Sequence, residues 1–248
     1  MKMFRSPQAL LVLAVLTGSI ALNFFLGRTS LRYYWLLNQT TLDPFGLLKV
    51  SSDPINPTAR QRIVMLGDSR ASAWPQPPGM DSAEFINRGI SGQTTVQVLG
   101  RFQQHVADLE PDVVLIQAGI NDLKTIPLFP DRKAEIIAQC EANMQELTSR
   151  SLDTGAKVVV TTIIPAGRVP LLRIPFWPNE VDQALESCNA SIKTLASDRV
   201  MVFDTSAIVT AGNGRVRPEY QRNFLHLNRA GYQALNRELA SALSAMLE

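Results

Sequence analysis

The sequence has few of the residues that build metal centres and disulfide frameworks. Its 248 residues include only two cysteines and two histidines. Two cysteines are too few for a cysteine-based zinc site or for a small domain held together by disulfides. Two histidines leave little room for a histidine-rich metal centre. Any chemistry must therefore use few residues, and we expect no metal and no organic cofactor.

An excess of charge of either sign is also missing. The 24 Lys and Arg residues nearly balance the 22 Asp and Glu residues, which gives a net charge of +2. Nucleic-acid binders usually carry a large basic excess, so we expect no nucleic-acid partner. The hydrophobic content of 46%, with 15 prolines and 14 glycines, is typical of a globular protein and argues against disorder.

Near the amino terminus, the run from Ser6 to Gly27 has no charged residue. A membrane-spanning helix needs about 20 mostly apolar residues, whereas the core of a cleavable signal needs about 7–15. Residues 1–27 are therefore predicted to form a transmembrane signal anchor. The alternative is a signal peptide that is cut after the small residues around Ser19-Ile20-Ala21. A buried core helix is disfavoured because no polar face interrupts the run.

The charges around this run bear on its orientation. Lys2 and Arg5 favour an amino end on the inside, whereas Arg28 and Arg32 favour the opposite orientation. We expect the rest of the chain on the extracytoplasmic side, either anchored to the membrane or secreted after cleavage. Residues 28–59 contain scattered prolines and polar residues, and we interpret them as an irregular juxtamembrane connector.

The remaining residues, 60–248, alternate short apolar runs with helical patterns. This alternation predicts an α/β fold with a parallel sheet of about five strands and right-handed crossovers. Ligands of such sheets bind beyond the carboxyl ends of the strands. The predicted strands are Arg62–Leu66, Glu84–Asn87, Val113–Ile116, Lys157–Ile164 and Val200–Phe203. Apolar residues at helical spacing predict helices over three stretches, from Ile136 to Leu147, from Val181 to Leu195 and from Tyr232 to Met246.

Four polar blocks stand at these strand ends or before the last helix. A serine hydroxyl such as that of Ser69 needs a base to become a nucleophile, and His226 is one of two candidates. A tetrahedral intermediate needs fixed donors, which the Gly92 backbone N–H and the Asn121 amide could supply. The blocks are Gly67-Asp68-Ser69-Arg70, Asn87–Thr94, Gly119-Ile120-Asn121-Asp122 and His226–Tyr232.

These blocks, in this order, resemble those of the SGNH (GDSL-type) hydrolase superfamily, and the resemblance covers residues 60–248. It implies a flavodoxin-like, three-layer α/β/α fold and a serine esterase that works through an acyl-enzyme. It also implies that Ser69 is the nucleophile and that His226 is the base. The oxyanion hole then consists of the N–H groups of Ser69 and Gly92 and the side chain of Asn121.

One position departs from the family pattern. Family members usually place an aspartate three residues before the histidine, where this chain has Asn223. Three interpretations follow. Asn223, or a nearby backbone carbonyl, orients His226 in a working dyad; Glu219 substitutes for the acid; or the site is slow or inactive. An amide oxygen can fix the imidazole tautomer, but it cannot supply negative charge to an imidazolium.

Several polar residues have simpler interpretations. We expect Asp68 to brace its loop and Asp122 to cap locally, because short acceptors favour turns. His105 is interpreted as a surface or half-buried helix residue. Cys140 and Cys188 lie on apolar helix stripes, which predicts buried free thiols. A disulfide between them stays open for an exported protein.

Two apolar loops follow strands and should lie near the site. They are residues 126–130 and the proline-rich segment 164–178. One interpretation is that they simply pack on the domain. The other is that they form an apolar wall for an acyl chain, or a contact with a bilayer. In that case Phe176, Trp177 and the cationic Arg168 bind substrate.

The predicted function is a serine esterase that acts on a lipid acyl ester or an O-acetylated glycan. One alternative is an O-acyltransferase that transfers the acyl group to a glycan hydroxyl. The other is a non-catalytic binding module with the same fold. The sequence leaves the oligomeric state open.

Overall fold

The computed structural model describes residues 6–49, 61–80 and 83–247, which divide into two units after Pro44. The first unit is a single helix, α1 (Pro7–Leu42). Ser6 caps it by accepting a hydrogen bond from the Ala9 N–H, and Pro7 occupies its first turn. By length and composition α1 can cross a membrane, a property that signal sequences share.

Helix α1 extends well beyond the predicted anchor. The prediction of an irregular connector is wrong from residue 28 to Leu42, because no proline or glycine interrupts that stretch. Its polar side chains bond back to the helix instead of breaking it. Asn38, Thr40 and Thr41 each donate to the carbonyl four residues earlier. Residues 50–60 of the predicted connector lie outside the described residues.

The second unit is built on a parallel five-stranded sheet, as predicted. Its strand order is β2-β1-β3-β4-β5, the flavodoxin-like order in which ligands bind near the point where the order reverses. All neighbouring strands pair in parallel. The strands are β1 (Arg62–Gly67), β2 (Glu84–Gly89), β3 (Val113–Gln117), β4 (Lys157–Thr161) and β5 (Val200–Phe203).

Helices cover both faces of this sheet and complete three layers. Alternate residues of β1 enter two separate cores: Val64 and Leu66 enter one, Ile63 and Met65 the other. The first core contains α6 and α7, and the second contains α9. The helices are α2 (Ser69–Ser72), α3 (Thr95–Gly100), α4 (Phe102–His105), α5 (Ile120–Leu123), α6 (Lys133–Asp153), α7 (Asn179–Lys193), α8 (Thr205–Val209) and α9 (Arg229–Leu247).

Strand β4 ends earlier than predicted. The apolar run continues to Ile164, but the strand stops at Thr161. The Asn189 side chain, from α7, accepts the Ile163 N–H at 2.6 Å and donates to the Ile163 carbonyl at 3.0 Å. These two bonds satisfy peptide groups that a longer strand would have paired. The chain therefore leaves the sheet while its side chains stay buried.

Cys140 and Cys188 are buried free thiols, as predicted. They lie on α6 and α7, two helices in contact on one face of the sheet. A hydrogen bond with Cys188, together with burial, raises the pKa of the Cys140 thiol. The Cys140 thiol is therefore protonated and unreactive in the folded protein.

Gly67 ends β1 at its closest approach to β3. A Cβ atom at this position would lie 1.8 Å from the Gln117 carbonyl oxygen. The same carbonyl accepts the Asp68 N–H at 3.1 Å, which turns the chain out of the sheet towards α2. Only glycine fits here, because every other side chain would collide with backbone rather than with a movable group.

We expect Gly67→Ala to lower the free energy of unfolding by about 3 kcal/mol or more, because the new methyl group must push two strand ends apart. Gly212→Ala is the matched control, since its Cβ would meet nothing within 4 Å. It should stay within about 0.5 kcal/mol of the parent. Urea unfolding followed by circular dichroism measures both. Equal stability of the two variants would contradict this account of the strand end.

Candidate active site

The carboxyl ends of three strands carry the residues expected to act. Ser69 begins α2 directly after β1, Gly92 lies between β2 and α3, and Asn121 lies in α5 after β3. His226 comes from the loop before α9. All four line a single pocket of about 470 Å³. The topology therefore brings together residues that are up to 157 positions apart in the chain.

Ser69, His226 and Asn223 form a hydrogen-bonded relay. The Ser69 Oγ lies 2.9 Å from His226 Nε2, and His226 Nδ1 lies 3.0 Å from Asn223 Oδ1. Because an amide oxygen only accepts, Nδ1 carries the proton and Nε2 is free to accept one from serine. This is the tautomer that a general base needs.

The amide oxygen of Asn223 also shapes the loop that carries the histidine. It accepts the backbone N–H groups of Leu225 at 2.9 Å and His226 at 3.0 Å. These bonds form an Asx turn and fix the amide flip, because the side-chain nitrogen could not accept them. Asn223 thus holds both the loop and the imidazole. Of the two candidates for this position, Asn223 rather than Glu219 contacts Nδ1.

Donors surround the space in front of Ser69. The Ser69 N–H belongs to the first turn of α2, where N–H groups have no partner within the helix. Gly92 has φ +85°, a conformation that places its peptide at the pocket without a side chain. Asn121 donates from Nδ2 to the Gln93 carbonyl at 2.8 Å and accepts from Lys124 Nζ at 2.5 Å. Its second N–H remains for a ligand.

The buried Asp68 braces the turn that carries Ser69, as predicted. Its Oδ1 accepts the Arg70 N–H at 2.8 Å and caps α2. Its Oδ2 is buried and has no hydrogen-bond partner among the described residues. Burial raises the pKa of Asp68 to about 6, although the nearby Arg70 cation opposes the rise.

Arg70 is almost fully buried beside the nucleophile, at 1% exposure. Its guanidinium donates from Nε to the Leu225 carbonyl at 2.9 Å and from Nη1 to the Ile164 carbonyl. The Tyr232 hydroxyl donates to the Arg70 carbonyl at 2.9 Å. Arg70 therefore joins the α2 turn to the residue before His226.

Three cations influence the imidazole. Burial, together with the positive charges of Arg70, Arg222 and Lys124, lowers the pKa of His226 to about 4. At neutral pH the ring is therefore uncharged and able to accept a proton. Lys124 and Arg222 also line the pocket.

Sequence reasoning missed the cations of the pocket. Lys124 follows Asn121 by three residues, the spacing that places two side chains on one helix face, so this signal was present. Arg222 and the buried contacts of Arg70 had no comparable signal, because their partners lie in other segments.

Two polar residues make contacts that the sequence did not indicate. Asp122 hydrogen-bonds to its own backbone, as the local interpretation expects, but its carboxylate also accepts the Thr95 N–H at 2.9 Å and the Thr95 hydroxyl at 2.6 Å, which ties α5 to α3. His105 is buried rather than exposed, and its Nδ1 lies 3.0 Å from the buried Arg101. Both side chains find partners in the folded core.

A second, mostly apolar pocket of about 320 Å³ lies next to the first and shares Lys124 and Leu225 with it. Phe176 and Trp177 line this pocket, as the substrate-binding interpretation expects. Trp177 is also a packed residue, because its ring meets Phe224 edge-on at 5.6 Å.

The structure does not bring Arg168 to either pocket. Its side chain is exposed, and its backbone N–H is held by the Gln221 side chain at 3.3 Å. The neighbouring Gly167 N–H donates to the Phe224 carbonyl. Arg173 lines the apolar pocket instead.

Comparison with known proteins agrees with this geometry. Residues 64–234 match the model of the GDSL-like lipase/acylhydrolase family. The chain belongs to this family. It is therefore a hydrolase that acts on esters, within the SGNH superfamily that the four sequence blocks indicated.

Individual relatives of this GDSL-like hydrolase are distant. The human platelet-activating factor acetylhydrolase IB subunit alpha2 is 25% identical over 166 residues, which span 66% of each chain. An arylesterase from Vibrio mimicus is 31% identical over 126 residues, covering 45% of this chain and 57% of the relative. A GDSL-like lipase structure from Bacteroides thetaiotaomicron has a TM-score of 0.61 at 25% identity, covering 75% of this chain and 88% of that one.

The family's name describes a leucine after the nucleophile, whereas this hydrolase has Arg70. The buried guanidinium and its bonds to two carbonyls are thus features of this chain's own sequence.

Proposed function

We propose that this hydrolase cleaves carboxylic esters through a covalent acyl-enzyme on Ser69, with His226 as general acid and base. The observation that carries the proposal is the 2.9 Å contact between Ser69 Oγ and His226 Nε2. This contact lies within the range for proton transfer from a nucleophile to its base. The Asn223 contact on the opposite ring nitrogen supports it.

In the first half-reaction, Ser69 Oγ attacks the ester carbonyl carbon and its proton passes to His226 Nε2. The carbonyl oxygen becomes an oxyanion, and the N–H groups of Ser69 and Gly92 and the Asn121 amide stabilise it. When the carbon–oxygen bond to the alcohol breaks, His226 returns the proton to the leaving oxygen. The products are an acyl-serine and a free alcohol.

In the second half-reaction, water attacks the acyl-serine carbonyl and His226 takes a proton from it. The same donors stabilise the second oxyanion. The bond to Ser69 Oγ then breaks, the serine regains its proton from His226, and a carboxylic acid leaves.

Asn223 takes the place of the usual acid in this proposal. Its oxygen orients the imidazole through Nδ1, but it adds no negative charge beside the imidazolium that forms in each half-reaction. The chemistry should therefore be slower than with a carboxylate at this position. No metal or organic cofactor takes part in these steps.

The proposed substrate is a lipid acyl ester or an O-acetylated glycan, and the proposed location is a membrane. In this proposal the anchor lies within residues 1–27, and its helix continues to Leu42. The hydrolase domain lies within residues 60–248 on the extracytoplasmic side. Secretion after cleavage of a signal peptide is the alternative. Apolar composition over the length of a membrane span supports retention.

A fluorophosphonate probe tests the nucleophile. We expect one covalent adduct on Ser69, lost in Ser69→Ala, because the probe traps a serine that its base has activated. Ser91→Ala is the matched control, since Ser91 lines the same pocket and should leave labelling unchanged. Labelling is measured by intact mass and peptide mapping. Absence of labelling in folded wild-type protein would favour the non-catalytic binding module.

Asn223→Asp tests the relay. We expect kcat to rise by about tenfold or more, because the carboxylate keeps the same three hydrogen bonds and adds charge beside the imidazolium. An anion at Nδ1 also raises the pKa of His226, so the acid limb of kcat/KM should move to higher pH. Asn228→Asp serves as the control, because Asn228 lies in the same segment and bonds the Gly231 N–H rather than the ring.

Hydrolysis of p-nitrophenyl acetate across pH 4–9 provides both measurements. An unchanged rate and profile in Asn223→Asp would show that the relay does not limit the reaction. Product analysis with an added glycan acceptor separates hydrolysis from acyl transfer.

A further inference from the structure

The surface beside the apolar pocket carries a concentration of exposed hydrophobic side chains. They come from two short 3₁₀ helices, Ile126–Leu128 and Leu171–Phe176, which contact each other. Leu172 is 90% exposed and Leu171 is 84% exposed. We call this surface the apolar rim; it consists of Leu128, Phe129, Leu171, Leu172, Ile174 and Phe176.

Exposing these apolar side chains to water costs free energy unless a partner covers the surface. Four prolines lie within residues 164–178, and Pro170 and Pro175 flank or interrupt the Leu171–Phe176 helix. Proline restricts the backbone, so these side chains are presented to solvent rather than free to fold inward. The apolar rim is therefore a fixed surface of the domain.

The segments that form the rim carry more positive than negative charge. Segment 164–178 contains two arginines and no acid, and no acidic residue occurs from Thr154 to Asn179. Segment 124–135 contains three cations and two acids, and one of these acids, Glu135, is paired with Arg132. Apolar side chains bordered by cations are typical of surfaces that bind the interface of an anionic bilayer.

We propose that the apolar rim docks this hydrolase onto a lipid bilayer that carries anionic lipids. Leu171 and Leu172 insert among the acyl chains, while Arg168 and Arg173 lie at the level of the phosphates. This proposal gives a role to Arg168, which lines neither of the two pockets. The proposed retention of α1 keeps the domain tethered to such a bilayer, which raises its effective concentration at the surface.

The apolar pocket then lies between the bilayer and the nucleophile. Leu128 and Phe176 belong both to the rim and to the lining of this pocket, which shares Lys124 and Leu225 with the Ser69 pocket. An acyl chain could therefore pass from the membrane to Ser69 along apolar side chains. This route rests on the proposed function, whereas docking itself does not.

Site-specific fluorescence on the full chain tests docking. Leu172→Cys is labelled with an environment-sensitive fluorophore; the native thiols of Cys140 and Cys188 are buried and stay unlabelled. The protein is reconstituted in vesicles of phosphatidylcholine with phosphatidylglycerol that contain doxyl-labelled lipid. We expect a blue-shifted emission at position 172 and at least twofold quenching by the doxyl lipid.

Asp153→Cys is the matched control, because this exposed residue precedes β4 at the opposite edge of the sheet and should not be quenched. With the fluorophore kept at position 172, the further changes Leu171→Glu and Ile174→Glu should abolish the quenching. Hydrolysis of p-nitrophenyl acetate should stay within twofold, since neither side chain lines a pocket.

Three outcomes would overturn the proposal. They are no quenching at position 172, equal quenching at positions 172 and 153, or an emission shift that follows protein concentration rather than lipid. The last would assign the rim to a second copy of this chain. A failure of esterase activity with quenching intact would refute the proposed function and leave docking standing.

A separate set of contacts concerns the buried Arg70. From its hydrogen bonds to the Leu225 and Ile164 carbonyls, we infer that Arg70 is a positioning residue that holds the His226 loop against the nucleophile's turn. A displacement of about 1 Å in a catalytic group can cost about 100-fold in rate, so a shift of this loop would slow the reaction. This inference rests on the proposed function.

Arg70 also contributes charge. The groups that face His226 are the cations Arg70, Arg222 and Lys124, while the carboxyl of Asp68 faces Arg70. Removing the Arg70 cation takes away one cause of the low pKa of His226. The imidazole would then stay protonated to a higher pH, and the acid limb of kcat/KM would move upward.

The test uses Arg70→Met, Arg70→Lys and Arg222→Gln. We expect Arg70→Met to lower kcat by 10- to 100-fold and to move the acid limb to higher pH. Arg70→Lys should lower kcat with little movement of the limb, because it keeps the charge but loses the forked contact. Arg222→Gln should also move the acid limb to higher pH, because it removes a second cation that acts on the imidazole.

Thermal unfolding checks that each variant is folded. A folded Arg70→Met enzyme with unchanged kcat would overturn the positioning role. A loss of kcat with an unmoved acid limb in both Arg70→Met and Arg222→Gln would overturn the electrostatic role. Failure of wild-type labelling at Ser69 would refute the proposed function instead.

Discussion

The site depends on how closely the carboxyl ends of β1 and β3 approach each other. The Gln117 carbonyl lies where a side chain on Gly67 would have to be, and it accepts the Asp68 N–H. This contact ends β1 abruptly and turns the next residue, Ser69, outward at the start of α2. The loops that follow β2 and β3 place their hydrogen-bond donors around the same space, because parallel strands end at one edge of the sheet.

The sequence predicted best those features of the fold that a single segment determines by itself. The central strands β1, β3 and β4 were predicted because each is a continuous apolar run buried on both faces, and their burial in the structure bears this out. The edge strands β2 and β5 are only partly buried. The four polar blocks could be placed at strand ends for the same reason. The order of these blocks indicates the family from the sequence alone.

Contacts between distant segments were the part that could not be predicted. The partners of the buried Arg70 side chain are carbonyls of Leu225 and Ile164, which lie far away in the sequence. Asp122 looks like a local cap until α3 supplies Thr95. In α1 the error had a different cause: polar residues that favour loops on average can instead bond to the preceding turn of a helix.

The site handles charge in an unusual way for a serine hydrolase, since an amide stands where a carboxylate is usual. Cations surround the pocket, and they favour the oxyanion while they disfavour a charged imidazole. The site therefore holds a neutral His226. In the proposed mechanism, the missing negative charge disfavours the protonated ring that forms during each turnover.

The position of the free thiols of Cys140 and Cys188 has a consequence for biogenesis. Both side chains are fully buried between α6 and α7, so small oxidants reach them only before that interface closes. Whether these sulfurs become linked is then decided by the order in which the chain folds and meets an oxidase. The compartment in which the mature protein resides has little further influence on them.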